Sequence, residues 1–336
     1  MKHGQPNHVL VFRLSALGDV AMTIPAIYSV ARTYPGTTFH VVTTAFCAQL
    51  FVNAPQNVLL KPVEKSATTW HVLGLVSRLP VDAVADLHNV LRSWVIDVMF
   101  LLRGKPVSML DKRRSERHAI KKQRKATKVP FVHRYFDVFA GLGLPCKPCF
   151  DSVFKVLPSL PIGKTKGNEH WIGIAPFARY ATKTYPLEMM KEVAKLLAVQ
   201  PDTYIFLFGS RGQQAAALSQ WESLSTRIFC VAGCHTLYEE LSLMAHLDLM
   251  ISMDSANMHL ASLVSTHVVS IWGGTTPACG FTSWGWRLDN AICMNLDCQP
   301  CTIGGSRKCR IGGLKCLRGI SPETIVQRIS TILKQR

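Results

Sequence analysis

Short apolar runs alternate with stretches of helical periodicity, and the alternation runs through the chain twice. In the first half, residues 9–12 read as a buried strand, a short Gly-containing loop follows, and apolar residues then recur at helical spacing through Tyr34. Strands follow at 38–43, 58–63 and 83–87, with a helix at 69–78. In the second half, strands at 171–175, 203–208, 228–231, 248–252 and 267–272 alternate with helices at 186–199, 213–224, 237–245 and 256–263. Strands separated by helices build parallel sheets covered on both faces. The pattern predicts an α/β chain of two Rossmann-like, doubly wound domains. Such sheets bind ligands outside the carboxyl ends of their strands, in this case along a central cleft that the two domains would face.

A break separates the halves. Residues 103–128 carry eleven Lys and Arg against Asp111 and Glu116 and read as a solvated connection, and residues 145–167 are rich in Pro, Lys and Gly. The boundaries expected are 1–150 for the first domain, 168–320 for the second and 321–336 for a closing helix, with Ser321 as its N-cap. A length of 336 residues suits two domains at about 150 residues each.

Charge and cysteines narrow the classes. Lys and Arg outnumber Asp and Glu by 38 to 21, a net +17 that favours an anionic partner without naming it. No secretory h-region is evident near the start, and no apolar run approaches the ~20 residues of a spanning helix, so any membrane contact is expected to be peripheral. Eleven cysteines in a long, basic chain without a leader suggest reduced, cytoplasmic thiols. Four of them, Cys298, Cys301, Cys309 and Cys316, fall within nineteen residues and could hold structural zinc, although only the first pair has C-x2-C spacing.

Three strand-to-helix loops carry candidate chemistry. In Ser15-Ala-Leu-Gly-Asp19, Gly18 permits close backbone approach, and Asp19 either caps the helix or serves as a base on a hydroxyl nucleophile. In Asp254-Ser-Ala-Asn-Met-His259, the amides of Ser255, Ala256 and Asn257 open a helix and suit a phosphate. Asp254 there could accept from sugar hydroxyls, and His259 could donate to a phosphate oxygen. Between them, Lys183, with Thr182, can offset charge on a departing diphosphate. No P-loop, Gly-x-Gly-x-x-Gly fingerprint, Asp-x-Asp pair or His-Glu-x-x-His helix occurs, so a transfer that requires no metal cofactor fits better than kinase, dehydrogenase or metallohydrolase chemistry.

These residues resemble the lipopolysaccharide heptosyltransferases of glycosyltransferase family 9. The matching pieces are Arg13-Leu-Ser-Ala-Leu-Gly-Asp19 with Ile24-Pro-Ala, His133-Arg-Tyr-Phe, Lys183-Thr-Tyr-Pro186, Asp254-Ser-Ala-Asn-Met-His259 and the four-cysteine cluster. The resemblance implies a GT-B fold, an inverting mechanism and a nucleotide-sugar donor such as ADP-heptose. Asp19 would be the catalytic base, Lys183 would contact the diphosphate, Asp254 the sugar, and Ser255 to His259 the phosphates. Gly273-Gly-Thr275-Thr-Pro277 is similar to a family loop that lines the donor side, and Arg13, Ser15 and Gly18 would lie on the acceptor side. The acceptor implied is the lipopolysaccharide core at the cytoplasmic face of the inner membrane. Arg113, Arg114 and Arg117 then have a use in meeting a phosphorylated acceptor or the anionic leaflet. The competing class is a zinc-containing nucleic-acid-binding protein. It leaves the three loops unexplained, and the basic residues lack interleaved aromatics for base stacking, so no nucleic-acid partner is expected.

Overall fold

The computed structural model describes residues 5–113, 116, 119–120, 129–285, 287 and 290–335. The chain forms two compact units, one built from Met1–Arg113 with Val129–Lys155 and the other including Val156–Arg336.

The first unit is a five-stranded sheet in the order β3-β2-β1-β4-β5. Its strands are β1 (His8–Phe12), β2 (Thr38–Thr44), β3 (Val58–Val63), β4 (Ala83–Asp86) and β5 (Val107–Met109), and every pairing is parallel. The helices are α1 (Leu17–Thr33), α2 (Ala45–Ala48), α3 (Thr69–Ser77), α4 (Leu91–Leu102) and α5 (Phe131–Ala140). β1 is central because its Val9, Leu10 and Val11 are apolar on both faces, as a strand covered by helices on each side requires. Leu10 and Phe12 of β1 pack with Val72 and Val76 of α3 and with Ile96 and Phe100 of α4 in one core cluster.

Three elements of this unit depart from the sequence reading, the first being α2, a four-residue helix too short to show a helical period. β5 lies inside the segment read as a solvated connection; its three residues add an edge strand too short to register as a pattern. α4 was not anticipated as a helix at all. Its inward face holds Ser93, Ile96, Asp97 and Phe100, half of them polar, while large apolar residues point outward, so the usual helical contrast is inverted.

The second unit is a six-stranded parallel sheet in the order β11-β10-β9-β6-β7-β8. Its strands are β6 (His170–Ala175), β7 (Thr203–Leu207), β8 (Ile228–Cys230), β9 (Leu249–Met253), β10 (Val268–Trp272) and β11 (Ala291–Cys293). Helices α6 (Leu187–Val199), α7 (Gln213–Ser219), α8 (Leu237–Ala245), α9 (Ala256–Leu263), α10 (Lys315–Arg318) and α11 (Pro322–Lys334) cover it. The strand β11 was not read from the sequence, and the helix expected through Leu224 stops at Ser219, with a 3-10 turn at Glu222–Leu224. Ser321 caps α11 by accepting from the Thr324 N–H, as expected. No helix among the described residues is long and apolar enough to cross a membrane.

Candidate active site

In the first unit the chemistry gathers at the carboxyl ends of β1 and β4, which are neighbours in the sheet. Arg13 directly follows β1 and is only 7% exposed. Its Nε donates to the Ser15 carbonyl at 3.0 Å and its Nη1 to the Leu87 carbonyl at 2.6 Å, while Nη2 meets Asp19 Oδ2 at 3.0 Å. Each of the three guanidinium nitrogens therefore has a partner inside the protein. Arg13 thus ties its own loop to Asp19 and to the turn after β4. Burial works against its charge, but Tyr135, Asp19 and Asp86 more than offset that and hold its pKa above the ordinary arginine value.

Asp19 lies in the first turn of α1. Its Oδ2 also accepts from the Ala16 N–H at 3.1 Å, so it performs the capping role and the ion pair with one oxygen. The side chain remains 34% exposed, which leaves Oδ1 as the oxygen not engaged by these contacts. The cap and the candidate base are one carboxylate acting through two atoms. Ser15 and Gly18 lie in the same loop and first turn.

Behind Arg13 stands a polar cluster that sequence reasoning missed. Asp86, at the end of β4, accepts from the His88 and Asn89 amides with Oδ1 (2.8 and 2.9 Å) and from Ser93 Oγ with Oδ2 (2.6 Å). These bonds fix the turn that delivers the Leu87 carbonyl to Arg13. Burial and the neighbouring Asp86 carboxylate push Asp97, on the inward face of α4, up to about 8. Burial, with Arg13 nearby, pushes His88 down to about 4, so its imidazole is neutral at pH 7. The Asp-x-His-Asn stretch was the available signal, but only the fold shows which of its groups face Arg13.

In the second unit, β6, β9 and β10 lie side by side, so the loops after them converge. Lys183 ends a 3-10 turn, Ala181–Lys183, in the loop after β6. Its Nζ meets Asp254 Oδ2, just beyond β9, at 2.8 Å. Thr275, in the loop after β10, donates its hydroxyl to the same oxygen at 2.6 Å. Lys183 is 14% exposed and Asp254 only 4%, so the pair is largely withdrawn from water. Ser255 is the N-cap of α9, with its Oγ 3.2 Å from that of Ser252; Ala256 and Asn257 open the helix, and His259 lies one turn in, buried.

Two glycines let these loops close on one another. The Gly274 N–H donates to the Thr182 carbonyl at 2.6 Å, and a Cβ on Gly273 would stand 2.5 Å from that same carbonyl. Thr182 is in turn clasped by Ser306: the Ser306 N–H donates to Thr182 Oγ1 at 2.9 Å, and Thr182 Oγ1 donates to the Ser306 carbonyl at 2.9 Å. Gln299 Nε2 donates to the Gly273 carbonyl at 2.5 Å. The cysteine-bearing loop thus supports the Lys183 and Gly273 loops directly, a link invisible in the sequence.

Cys298, Cys301, Cys309 and Cys316 line one cavity of about 650 Å³ together with Thr182 and Gly274. Burial, then the other three thiols, push Cys316 up to about 11, so it is a thiol at pH 7. All four are free of disulfides. Among the described residues, no three His, Cys, Asp or Glu side chains come together as a shell for a metal ion. Arg113 pairs with Asp111 at 3.8 Å; Arg114 and Arg117 lie outside the described residues.

Comparison with known proteins assigns the class. Residues 77–311 match the sequence model of glycosyltransferase family 9 (heptosyltransferase). Lipooligosaccharide heptosyltransferase 2 of Campylobacter jejuni is 23% identical over 333 residues, covering 95% of this chain and 96% of the relative. The structure of ADP-heptose lipopolysaccharide heptosyltransferase II from E. coli has the same fold, with a TM-score of 0.68 at 19% identity, covering 98% of this chain and 99% of that one. An E. coli heptosyltransferase solved with ADP-2-deoxy-2-fluoro heptose also has a TM-score of 0.68, at 17% identity, covering 96% and 99% of the two chains. The chain is thereby a sugar-transferring enzyme. With two parallel sheets of GT-B type and a family match over most of its length, the chain belongs to glycosyltransferase family 9.

Proposed function

We propose that the chain transfers a heptose from ADP-heptose to the lipopolysaccharide core, with inversion and without a required metal cofactor, at the cytoplasmic face of the inner membrane. The observation that carries this reading is the Lys183–Asp254–Thr275 cluster, a cation and a carboxylate held 2.8 Å apart at the ends of adjacent parallel strands. The ADP-heptose donor is suggested by the E. coli relative solved with its fluoro analogue. The lipopolysaccharide acceptor is suggested by the heptosyltransferases that the chain resembles.

In this reading the acceptor hydroxyl gives its proton to Asp19 Oδ1 as its oxygen attacks the anomeric carbon of the sugar. The bond from that carbon to the diphosphate oxygen breaks, and ADP leaves with the electron pair. One displacement inverts the anomeric centre. Asp254 accepts from hydroxyls of the sugar, and Lys183 turns toward the diphosphate as negative charge develops there, where a pre-placed cation is most useful. The Ser255, Ala256 and Asn257 amides, at the positive end of α9, and His259 hold the phosphates. Gly273 and Thr275 shape the wall beside the sugar. Arg113, Arg114 and Arg117 meet the phosphorylated acceptor or the lipid surface.

The test is a donor screen with truncated lipopolysaccharide acceptors in EDTA-containing buffer, comparing the parent with Asp19→Asn. Transfer from ADP-heptose, lost by roughly a thousandfold in Asp19→Asn with donor binding retained, is the expected result. Full turnover in Asp19→Asn, or activity abolished by EDTA, would show the mechanism to be wrong.

A further inference from the structure

The outward face of α4 is entirely apolar. Leu91 is 76% exposed, Trp94 40%, Val95 44%, Val98 53%, Leu101 53% and Leu102 85%. These positions repeat at intervals of three and four, so they form one continuous stripe along the twelve-residue helix. A soluble protein seldom leaves so large an apolar patch bare unless something covers it. The stripe is not a by-product of a frayed element. Ile96 and Phe100 anchor the helix in the core, Arg92 donates to the Ala67 carbonyl at one end, and Arg103 donates to the Ser77 carbonyl at the other. Trp70 of the neighbouring α3, which those two bonds bracket, is a further 79% exposed.

The charge around the stripe indicates what covers it. The one acid of α4, Asp97, faces inward and is 3% exposed. Arg103 closes the helix, its guanidinium 5.8 Å from the centre of the Phe100 ring, and it begins the run 103–128 with eleven Lys and Arg against two acids. An apolar helical face with an indole, with Arg103 at one end and, at the other, Lys112 donating to the Asn89 carbonyl beside the Trp94 indole, suits the boundary between acyl chains and anionic headgroups. A second copy of this chain suits it less well, because pairing two such faces would bring like charges together on molecules that each carry +17.

We infer that α4 is the membrane-seating helix: its outward stripe enters the headgroup boundary of an anionic bilayer, with Arg103 and Lys112 at its two ends toward the lipid charge. This deepens the membrane-acceptor reading given above and moves the apolar half of the contact to residues outside the reaction chemistry.

The test measures binding of the full chain to vesicles of phosphatidylethanolamine and phosphatidylglycerol, with phosphatidylcholine vesicles alongside, in the absence of donor and acceptor. The parent should sediment with the anionic vesicles and much less with the neutral ones. Val98→Glu with Leu101→Glu should lower the partition coefficient by about tenfold or more, with an unchanged melting temperature because both positions are exposed. Quenching of tryptophan emission by brominated anionic lipid should fall in Trp94→Phe. Undiminished vesicle binding in the double variant would overturn the assignment. So would a parent dimer that the double variant converts to monomer without vesicle binding by either. Because no sugar transfer is read, loss of vesicle binding in the double variant would stand even if the donor screen failed.

Discussion

Lys183 Nζ and Asp254 Oδ2 lie 2.8 Å apart in a largely water-free setting, and the Thr275 hydroxyl donates to the same carboxylate oxygen. The two charges neutralise one another in the free protein, so each holds the other in place for ligand. Removing one partner of such a pair strands the remaining charge. Lys183→Ala should therefore cost about 3 kcal/mol of stability as well as turnover, whereas Lys183→Met with Asp254→Asn should recover most of the stability and none of the activity. Denaturant unfolding and transfer rates on the two single variants and the double variant check this. Equal stability of Lys183→Ala and parent would show that the pair is not held in solution.

Arg13 is expected to act through Asp19 rather than on substrate. Arg13→Lys keeps a charge near Asp19 but cannot reach Ser15, Leu87 and Asp19 together. The expected outcome is a kcat lower by roughly ten- to a hundredfold, with donor and acceptor KM within about twofold of the parent. A large rise in acceptor KM with unchanged kcat would instead restore Arg13 as an acceptor ligand.

Gly273→Ala would place a methyl group 2.5 Å from the Thr182 carbonyl, a contact no side chain tolerates without movement. The Thr182 loop must shift and carry Lys183 with it. Donor KM should rise by about tenfold, read by titration with nucleotide sugar, while acceptor KM stays within about twofold. Wild-type donor KM would mean that the loop yields freely.

Asp97 gives a pH signature. Its folded pKa of about 8 lies above the ordinary carboxylate value of 3.8, so the folded state holds a proton that the unfolded chain releases. Stability is fully supported below the unfolded value and is lost as pH rises through about 8. Asp97→Asn mimics the protonated group and should flatten this decline, leaving the variant more stable than the parent above pH 8 by on the order of 2 kcal/mol. Thermal melts from pH 5 to pH 9 decide it; parallel curves would mean that Asp97 ionises normally.

The parts of this protein that were legible in the sequence are those whose pattern is local. Each β-strand of five or more residues declared itself, as did the loops around Asp19, Lys183 and Asp254, because a Gly or a polar residue after a buried strand marks a strand-to-helix turn. The illegible parts depend on what meets in space. Arg13 reads as an acceptor-side cation, and nothing near it in sequence announces its bond to the Leu87 carbonyl, 74 residues further on. Ser306 and Gln299 carry no motif, yet they hold Thr182 and Gly273. Asp97 carries no motif, and only the fold makes it the inward residue of a helix whose apolar side faces out. Of the three-residue strands, β8 was legible from its apolar run, while β5, with Ser108 at its centre, and β11 were not.

The clasp between Thr182 and Ser306 has a bearing on engineering. Two stretches 124 residues apart share one set of hydrogen bonds, so neither can be exchanged as a cassette. A chimera that imports a relative's loop around Lys183 in order to accept a different nucleotide sugar must import the stretch from Gln299 to Ser306 as well. A library that varies donor preference should mutate both stretches jointly, since either one alone samples mostly broken pairs.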